Sequence, residues 1–264
     1  MSATLTPEQL ENEYHILFQR PESVQFECSF ENLVQPAAAS RFLQLYAKAL
    51  KAKDLTPAAT YFASWLQGLC SAAQSMMSLS GSSMNWSLSN WSLLMYRRGD
   101  YTVLAFLPTF PNIIQAAEEN RDLWRSNLLG LLFGGTVRPL IEIMTLETGL
   151  NSGHLWALLA TGMYNHKCRI QSFQQPDSLL FNQVQSDWDY IQEMEGSVFG
   201  RQSNPLAVKF RMVYDPRNPG EKLPVKASCC LAYLTEGHGY CYTCPKLTAD
   251  QRVQVGKDLV ARFY

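Results

Sequence analysis

Four cysteines lie within sixteen residues near the end of the chain, spaced as Cys-Cys, ten residues, Cys, two residues, Cys. They are Cys229, Cys230, Cys241 and Cys244, four of the seven cysteines in the sequence. Thiols at this density either cross-link or bind a soft or borderline metal. Disulfide bonds or metal–thiolate bonds are therefore expected to constrain this segment. Features of the rest of the chain decide between these two alternatives.

The composition is that of an ordinary globular protein. With 264 residues, 47% of them hydrophobic and 17% charged, the chain can form one large domain or two small ones with a full core. The formal net charge is only -1, and no long block of lysine or arginine occurs. Because such a chain does not attract nucleic acid or anionic lipid, neither is an expected partner.

The expected compartment decides between disulfides and metal ligands. The N-terminal sequence has neither the basic nor the apolar part of a secretory signal, so we expect a cytoplasmic protein. The longest strongly apolar stretch, Leu128–Phe133, is far shorter than the ~20 residues of a membrane helix, so no membrane span is expected. A reducing compartment disfavours disulfides, and the clustered cysteines are therefore expected to be metal ligands. The isolated Cys28, Cys70 and Cys168 are expected to be inert core thiols.

Most of the chain up to residue 200 has the apolar periodicity of helices packed in a core. Thr6 and Gln9 around Pro7 predict a capped helix start, and Thr56 before Pro57 predicts another. Further helices are predicted over Asn112–Leu132, Arg138–Leu146, His154–His166 and Ser178–Met194. A glycine pair at residues 134–135 is expected to separate the first two of these.

Two segments alternate with the period of a β-strand instead. Ser92–Tyr96 and Tyr101–Leu107 are predicted to form a hairpin around residues 97–100. A second hairpin is predicted from residue 207 to residue 227, with its turn at residues 215–220. Its apolar face is assigned to Val208, Phe210, Met212, Tyr214, Leu223, Val225 and Ala227. A final helix, capped by Thr248 and Gln251, is predicted to run through Phe263.

These elements predict an α+β fold, largely helical with small antiparallel hairpins. We expect a mainly helical domain at residues 1–200. Residues 201–264 are expected to form a C-terminal region made of the second hairpin, the cysteine loop and the final helix. The cysteine loop is thus held between a strand and a helix.

The spacing of the four cysteines bears on which metal they bind. A structural zinc site usually uses two pairs of the form Cys, two to four residues, Cys, and only Cys241 and Cys244 fit that form. Adjacent Cys229 and Cys230 would have to close a tight ring on a single ion, whereas a centre with two metals relaxes that demand. The spacing favours a [2Fe–2S] cluster over zinc and leaves zinc, or a chance grouping, as alternatives.

The sequence around the cysteines resembles the C-terminal part of the siderophore-iron reductases of the FhuF type. The resemblance lies in Cys229–Tyr233 and Cys241–Cys244, which have the cysteine spacing of that family. Weaker similarity lies upstream, in Glu147–Trp156 and Asn204–Leu206. The resemblance implies that Cys229, Cys230, Cys241 and Cys244 are the iron ligands of a [2Fe–2S] cluster.

The resemblance also implies an activity. FhuF-type proteins are ferric hydroxamate reductases, so the chain is expected to reduce a ferric siderophore by one electron and release ferrous iron, with residues 1–200 as the siderophore-binding body. No catalytic residue beyond the cluster is expected. The chain has no nicotinamide- or nucleotide-binding fingerprint, so an external donor such as a ferredoxin or a flavin/NAD(P)H reductase is expected to supply the electron.

Residues near the cysteines have two possible roles. Lys209, Arg211, Lys222 and Lys226 are predicted to share the outer face of the second hairpin, where they would dock an acidic donor or an anionic chelate, or only solvate the strands. Tyr233, Tyr240 and Tyr242 would shield the cluster or pack as core, and His238 is interpreted as a turn residue. The alternative functions are a zinc-stabilised binding module without enzymatic activity and a relative of the siderophore synthetases.

Overall fold

The computed structural model describes residues 5–115 and 120–261 and confirms a largely helical α+β fold. The helices are α1 (Pro7–Tyr14), α2 (Phe30–Leu33), α3 (Pro36–Ala49), α4 (Thr56–Ser75), α5 (Arg121–Leu129), α6 (Arg138–Thr148), α7 (Ser152–Ser172), α8 (Leu179–Glu193) and α9 (Ala249–Ala261). The strands are β1 (Val24–Ser29), β2 (Ser82–Ser83), β3 (Trp91–Arg98), β4 (Tyr101–Pro108), β5 (Ile114–Gln115), β6 (Met212–Tyr214) and β7 (Lys222–Pro224). Met76–Ser80 and Gly130–Val137 are π-helical, and short 3-10 turns cover Leu88–Asn90, Gly196–Phe199 and Ala232–Leu234.

Helix α4 lies at the centre of the core and packs along α7. Most of its residues are buried, and many of them are alanine, glycine or serine, which let neighbouring backbones approach closely. Gly162 of α7 shows how close this approach is, because a Cβ atom there would lie 1.5 Å from Oε1 of Gln67 on α4. The pair α4 and α7 is therefore a rigid platform, and the cysteine loop is attached to it.

The main sheet is antiparallel and has the strand order β1-β3-β4. Its β3–β4 hairpin confirms the hairpin predicted around residues 97–100, with pairing that extends from Trp91 opposite Pro108 to Arg98 opposite Tyr101. Strand β1 and the helices α2 and α3 have no counterpart among the predicted elements. The two-residue strands β2 and β5 form a separate antiparallel pair.

Helix starts follow their capping residues closely. At α1, Thr6 and Gln9 form the predicted reciprocal capping box, and Thr248 and Gln251 form another before α9. At α4 the prediction of a Thr56 cap is wrong. Thr56 lies inside the helix, and the Asp54 carboxylate instead accepts hydrogen bonds from its backbone N–H and its hydroxyl.

The helix predicted over Asn112–Leu132 begins later than expected. Ile114 and Gln115 form strand β5, residues 116–119 lie outside the described part of the chain, and the helix starts at Arg121 with Asn120 as its cap. The glycine pair at residues 134–135 does not end the helix, because neither glycine has the left-handed conformation of a helix terminus. Both lie in the π-helical segment Gly130–Val137, which joins α5 to α6 without interruption.

The second hairpin is shorter than predicted, since only β6 and β7 pair. Val208 and Phe210 pack against the main core, where Phe210 stacks on Tyr164 at 4.5 Å between ring centroids. The chain then leaves the core, so that Met212 and Tyr214, placed on the same apolar face by the sequence, are exposed. The final helix is described as far as Ala261, and its predicted continuation through Phe263 lies outside the described residues.

One helical run in the described part of the chain, Arg121–Thr148, is long and apolar enough to cross a membrane by length and composition. More than half of its most apolar window is buried inside the protein. Packing in the protein core accounts for that apolar character, so the run is weak support for a membrane span.

Candidate metal centre

The four cysteines lie in the loop between β7 and α9. Cys229 and Cys244 are buried, with 5% and 1% of their surface exposed, whereas Cys230 and Cys241 are half-buried. Leu231 follows the adjacent pair in a left-handed conformation, with φ of 56°, which is unusual for a residue with a branched side chain. Such strained backbone is typical of functional sites, where surrounding contacts hold it in place.

Hydrogen bonds from α4 and α7 hold the loop around Cys229 and Cys230. The Thr60 hydroxyl on α4 donates to the carbonyl of Cys230 at 2.7 Å. On α7, His154 Nε2 donates to the carbonyl of Cys229 at 2.6 Å, and the Thr161 hydroxyl oxygen accepts the backbone N–H of residue 227 at 3.0 Å. The central helix pair therefore fixes both backbone carbonyls of the adjacent cysteines.

Helix α9 holds the other pair of cysteines. The Cys244 N–H donates to the Cys241 carbonyl at 2.9 Å, which closes a tight turn around the two intervening residues. The guanidinium of Arg252 donates to the carbonyl of Cys244 at 2.9 Å and also to that of Tyr242. Only 8% of Arg252 is exposed, so these charge-assisted bonds are shielded from water.

The four sulfurs are arranged as two pairs rather than as one group. The Sγ atoms of Cys229 and Cys244 lie 3.6 Å apart. Cys230 and Cys241 form the other pair, since each thiol shifts the pKa of the other. Among residues 5–115 and 120–261, no group of three or more His, Cys, Asp or Glu side chains converges on a point where one metal ion could sit.

This arrangement fits two metals better than one. Two sulfurs that each lie about 2.3 Å from one tetrahedral ion are about 3.8 Å apart, close to the separation of Cys229 and Cys244. A single zinc ion would need Cys230 and Cys241 at the same point. A [2Fe–2S] cluster has two irons and four thiolate ligands, so two pairs of sulfurs suit it directly. The donor set therefore fits an iron–sulfur cluster held by Cys229 with Cys244 and by Cys230 with Cys241.

The surroundings of the half-buried pair, Cys230 and Cys241, favour a thiolate on one of the two sulfurs. A hydrogen bond from the Cys241 thiol and the positive charge of Lys226 lower the pKa of Cys230 to about 5, against the opposing effect of burial. Cys241 donates that hydrogen bond and is also partly buried, so its own pKa is raised. Burial raises the pKa of Cys229 to about 11. Because the thiolate is the form that binds metal, the lowered pKa of Cys230 favours its role as a candidate ligand.

The prediction that Lys226 lies on the outer face of the second hairpin is wrong. Its ammonium group points to the metal centre, with Nζ 3.4 Å from the Cys230 sulfur, and the side chain is half-buried. Lys209, Arg211 and Lys222 are exposed, and Lys222 lies over the ring of Tyr214. The structure therefore separates Lys226 from the other three predicted docking residues.

Aromatic residues surround the loop on its outer side. Tyr233 and Tyr240 pack at 4.7 Å between ring centroids, and Lys246 donates to the Tyr233 hydroxyl at 2.9 Å. Tyr242 donates to the carbonyl of Tyr214 at 2.8 Å. Tyr233 packs against the buried cluster that contains Cys229 and Cys244, whereas Tyr240 and Tyr242 line a cavity together with Cys241.

His238 occupies an exposed turn. Its Nδ1 lies 3.1 Å from the Thr235 hydroxyl and 3.0 Å from the Glu236 carbonyl. These local contacts agree with the interpretation of His238 as a turn residue rather than as a metal ligand. His238 also lines a cavity of about 640 Å³ next to Cys241, together with Tyr240, Tyr242 and Asp258.

Cys28, Cys70 and Cys168 are remote from this loop in sequence and differ in their surroundings. Cys70 is fully buried, and burial raises its pKa. Cys28 is half-buried and its pKa is also raised by burial. Cys168 is exposed, so the expectation that it is a core thiol is wrong. It lies near the end of α7, between the buried residues Lys167 and Ile170.

Several residues that hold the loop have no motif in the sequence. Thr60 and Thr161 lie within the apolar patterns of α4 and α7, and these patterns do not indicate a hydrogen bond from a threonine side chain. Arg252 is one of several charged residues on α9. His154 lies in the segment Glu147–Trp156, whose sequence resembles the FhuF type. Among these supporting residues, His154 is the one that the sequence resemblance points to.

Replacing Arg252 by Met is expected to loosen the turn between Cys241 and Cys244. Two carbonyls would lose a charged donor, and each such bond contributes about 1.5–3 kcal/mol, so we expect destabilisation of about 2–3 kcal/mol and faster loss of iron. Thermal unfolding and the rate of iron transfer to an external chelator measure the two effects. Lys257→Met, at an exposed position of the same helix, is the matched control. Equal rates of iron loss in the two variants would contradict the assigned role of Arg252.

The segment that contains the site matches a known protein family. Residues 227–246 match the family model described as the FhuF 2Fe-2S C-terminal domain, and the match includes all four cysteines. No curated protein sequence matches the chain significantly. The resemblance drawn from the sequence is thus confirmed for this short segment, and the match supports an iron–sulfur, metal-binding character for it.

Proposed function

We propose that this chain, whose residues 227–246 match the FhuF 2Fe-2S C-terminal domain, is a ferric siderophore reductase with a [2Fe–2S] cluster. The proposed substrate is a ferric siderophore of the hydroxamate type, and the product is ferrous iron. The observation that carries the proposal is the arrangement of the four sulfurs as two pairs within the segment that matches the family.

The chemistry of siderophores suits such a site. These chelators bind ferric iron through hard oxygen donors, and their affinity falls steeply when the metal becomes the softer, less charged ferrous ion. The cluster, when bound, supplies the single electron that this change requires. The chain has to bring the chelate close to the cysteines and to set the surroundings of the sulfurs, and it needs no general acid or base.

The cavity next to Cys241 is the place where we expect the chelate to approach. Its volume of about 640 Å³ lies within the range of small-molecule sites, about 300–1,000 Å³. Cys241 forms part of its wall, and Tyr240, 41% exposed, offers a ring at its edge. Cys229 and Cys244, on the opposite side of the centre, are buried. A substrate is therefore expected to approach from the side of the half-buried Cys230 and Cys241.

The electron donor is proposed to be a separate protein, such as a ferredoxin or a flavin/NAD(P)H reductase. Lys209, Arg211 and Lys222 are exposed near the loop and offer positive charge to an acidic partner. We also propose a cytoplasmic location, because a reducing compartment keeps the four thiols available for iron.

The proposal is tested by anaerobic purification followed by a visible spectrum and by iron, sulfide and zinc analysis. A single addition of a ferric hydroxamate to the dithionite-reduced protein then measures turnover. We expect a reddish-brown protein with two irons and two sulfides per chain, and reoxidation together with the appearance of ferrous iron. A colourless protein with one zinc, even after reconstitution with iron and sulfide, would overturn the proposal and favour the zinc-stabilised binding module.

A further inference from the structure

The position of Lys226 is the starting point for a further inference. Its Nζ atom lies 3.4 Å from the sulfur of Cys230, within the distance of a hydrogen bond to sulfur. Cys241, the partner of Cys230, also lies close enough to interact with the same ammonium group. Lys226 thus directs one positive charge at the half-buried pair of sulfurs.

The backbone on both sides of Lys226 is fixed. Its own N–H donates to the carbonyl of Thr243 at 2.9 Å, and the following N–H donates to the Thr161 hydroxyl oxygen at 3.0 Å. Val225, the preceding residue, is 95% buried, with 5% of its surface exposed. The lysine side chain therefore extends from a fixed segment of backbone. Its contact with Cys230 is part of the folded structure and differs from the chance position of a mobile surface lysine.

This contact has a definite consequence for a metal centre that accepts an electron. Reduction by one electron makes the thiolate-bound centre more negative by one charge. A cation nearby, and an N–H donor to a ligand sulfur, stabilise the more negative state and so raise the reduction potential. Because the lysine is half-buried, solvent and salt screen its charge less than that of an exposed lysine.

We propose that Lys226 raises the reduction potential of the metal centre through an N–H···S hydrogen bond to Cys230. Lys226 is then a positioning residue that sets how easily the centre accepts an electron from its donor. The inference rests on the proposed function only in its assumption of a redox-active cluster. It assigns to Lys226 a role different from that of Lys209, Arg211 and Lys222 at the surface.

The test is a redox titration of the purified protein, followed by visible absorption and without any siderophore. We expect Lys226→Met to shift the one-electron equilibrium at least tenfold toward the oxidised form, which corresponds to a potential about 59 mV lower. Lys226→Arg keeps the charge and an N–H donor and is expected to restore most of the potential. Lys246→Met removes one charge from the same loop, where the lysine contacts Tyr233, and is expected to shift the equilibrium by less than threefold.

A second measurement uses the unsubstituted protein, so that the proposal is tested even if a variant loses its cluster. Protein with ¹⁵N-labelled lysine is reduced and studied by pulsed electron paramagnetic resonance, which detects a nitrogen bonded to a ligand sulfur. A lysine ¹⁵N coupling that is absent from Lys226→Arg is expected. Equal potentials for Lys226→Met and Lys246→Met, or the absence of that coupling, would overturn the proposal for Lys226 while leaving the reductase proposal intact. A wild-type protein without a redox-active cluster would instead refute the proposed function.

Discussion

Replacing either Cys241 or Cys244 by Ser is expected to abolish both the visible colour of the protein and its reduction of a ferric hydroxamate. Each substitution takes one sulfur from a different pair, since Cys244 lies 3.6 Å from Cys229 and Cys241 interacts with Cys230. A serine hydroxyl remains protonated at neutral pH and is a poor ligand for the iron of such a cluster. Iron content, the visible spectrum and activity are measured on the same preparation.

The control for this pair of variants is Cys168→Ser, which removes an exposed thiol outside the cysteine loop. It is expected to retain full colour and activity. A Cys241→Ser or Cys244→Ser protein that kept full reductase activity would show that the four cysteines do not carry the reaction. Variants that lost activity but kept two irons would place the effect on the substrate side of the site instead.

Replacing Asp187 by Asn is expected to destabilise the helical body by about 3–5 kcal/mol, the typical effect of removing one partner from a buried ion pair. The Asp187 side chain is fully buried. Its carboxylate accepts two hydrogen bonds from Arg121, at 2.9 and 2.7 Å, one from Arg125 at 3.0 Å and one from the Ser78 hydroxyl at 2.8 Å. The amide would leave Arg125, with a side chain only 10% exposed, without its buried counter-charge.

Denaturant unfolding of the wild type and the variant measures this change in free energy. Asp122→Asn is the matched control, because Asp122 pairs with the same Arg125 but its side chain is 84% exposed. Exposed pairs of this kind contribute at most about 1 kcal/mol, so this variant should unfold almost as the wild type does. An equal loss of stability in the two variants would contradict the importance of burial in this network.

The destabilisation by Asp187→Asn is also expected to depend on pH. Burial alone raises the pKa of Asp187, but the hydrogen bonds and charges of Arg121, Ser78 and Arg125 outweigh it and lower the pKa below its ordinary value. A carboxyl with a lowered pKa in the folded state stabilises that state above its unfolded pKa of about 3.9, and this contribution is lost as the pH falls through the folded pKa. The difference between wild type and variant should be constant from pH 5 to 8 and shrink below about pH 4. A difference that grew on acidification would show the opposite sign.

The parts of the fold that could be predicted are those with local causes. The capping box of Thr6 and Gln9 and the hairpin around residues 97–100 depend on residues that are close in sequence, and both are present. The π-helical segment Gly130–Val137 could not be anticipated, since packing against distant residues decides whether a glycine pair interrupts a helix. The alternation of apolar and polar residues after residue 207 likewise did not show where the chain leaves the core, because packing against distant residues decides that point.

In the candidate site, too, the features with local causes could be predicted and those that depend on distant contacts could not. The cysteine spacing was sufficient to single out four candidate ligands and to favour two metals over one. The pairing of Cys229 with Cys244 depends on how the loop folds back on itself, which the spacing alone leaves open. The inward direction of Lys226 was missed because strand alternation predicts a face and carries no information on a loop that continues beyond the strand. Contacts such as that of Thr60 with Cys230, 170 residues apart, leave no local pattern at all.

The attachment of the cysteine loop to α4 and α7 determines the order in which the protein can be assembled. Thr60, His154 and Thr161 reach the loop only when the two helices are already side by side, and these residues precede it by many turns of chain. The loop cut away from the body would lack these supports, so it is not a portable module like a zinc finger. If the loop binds iron as proposed, we expect iron to enter only after the helical body has folded, so that a chain with a damaged body would lack metal even though all four cysteines are present.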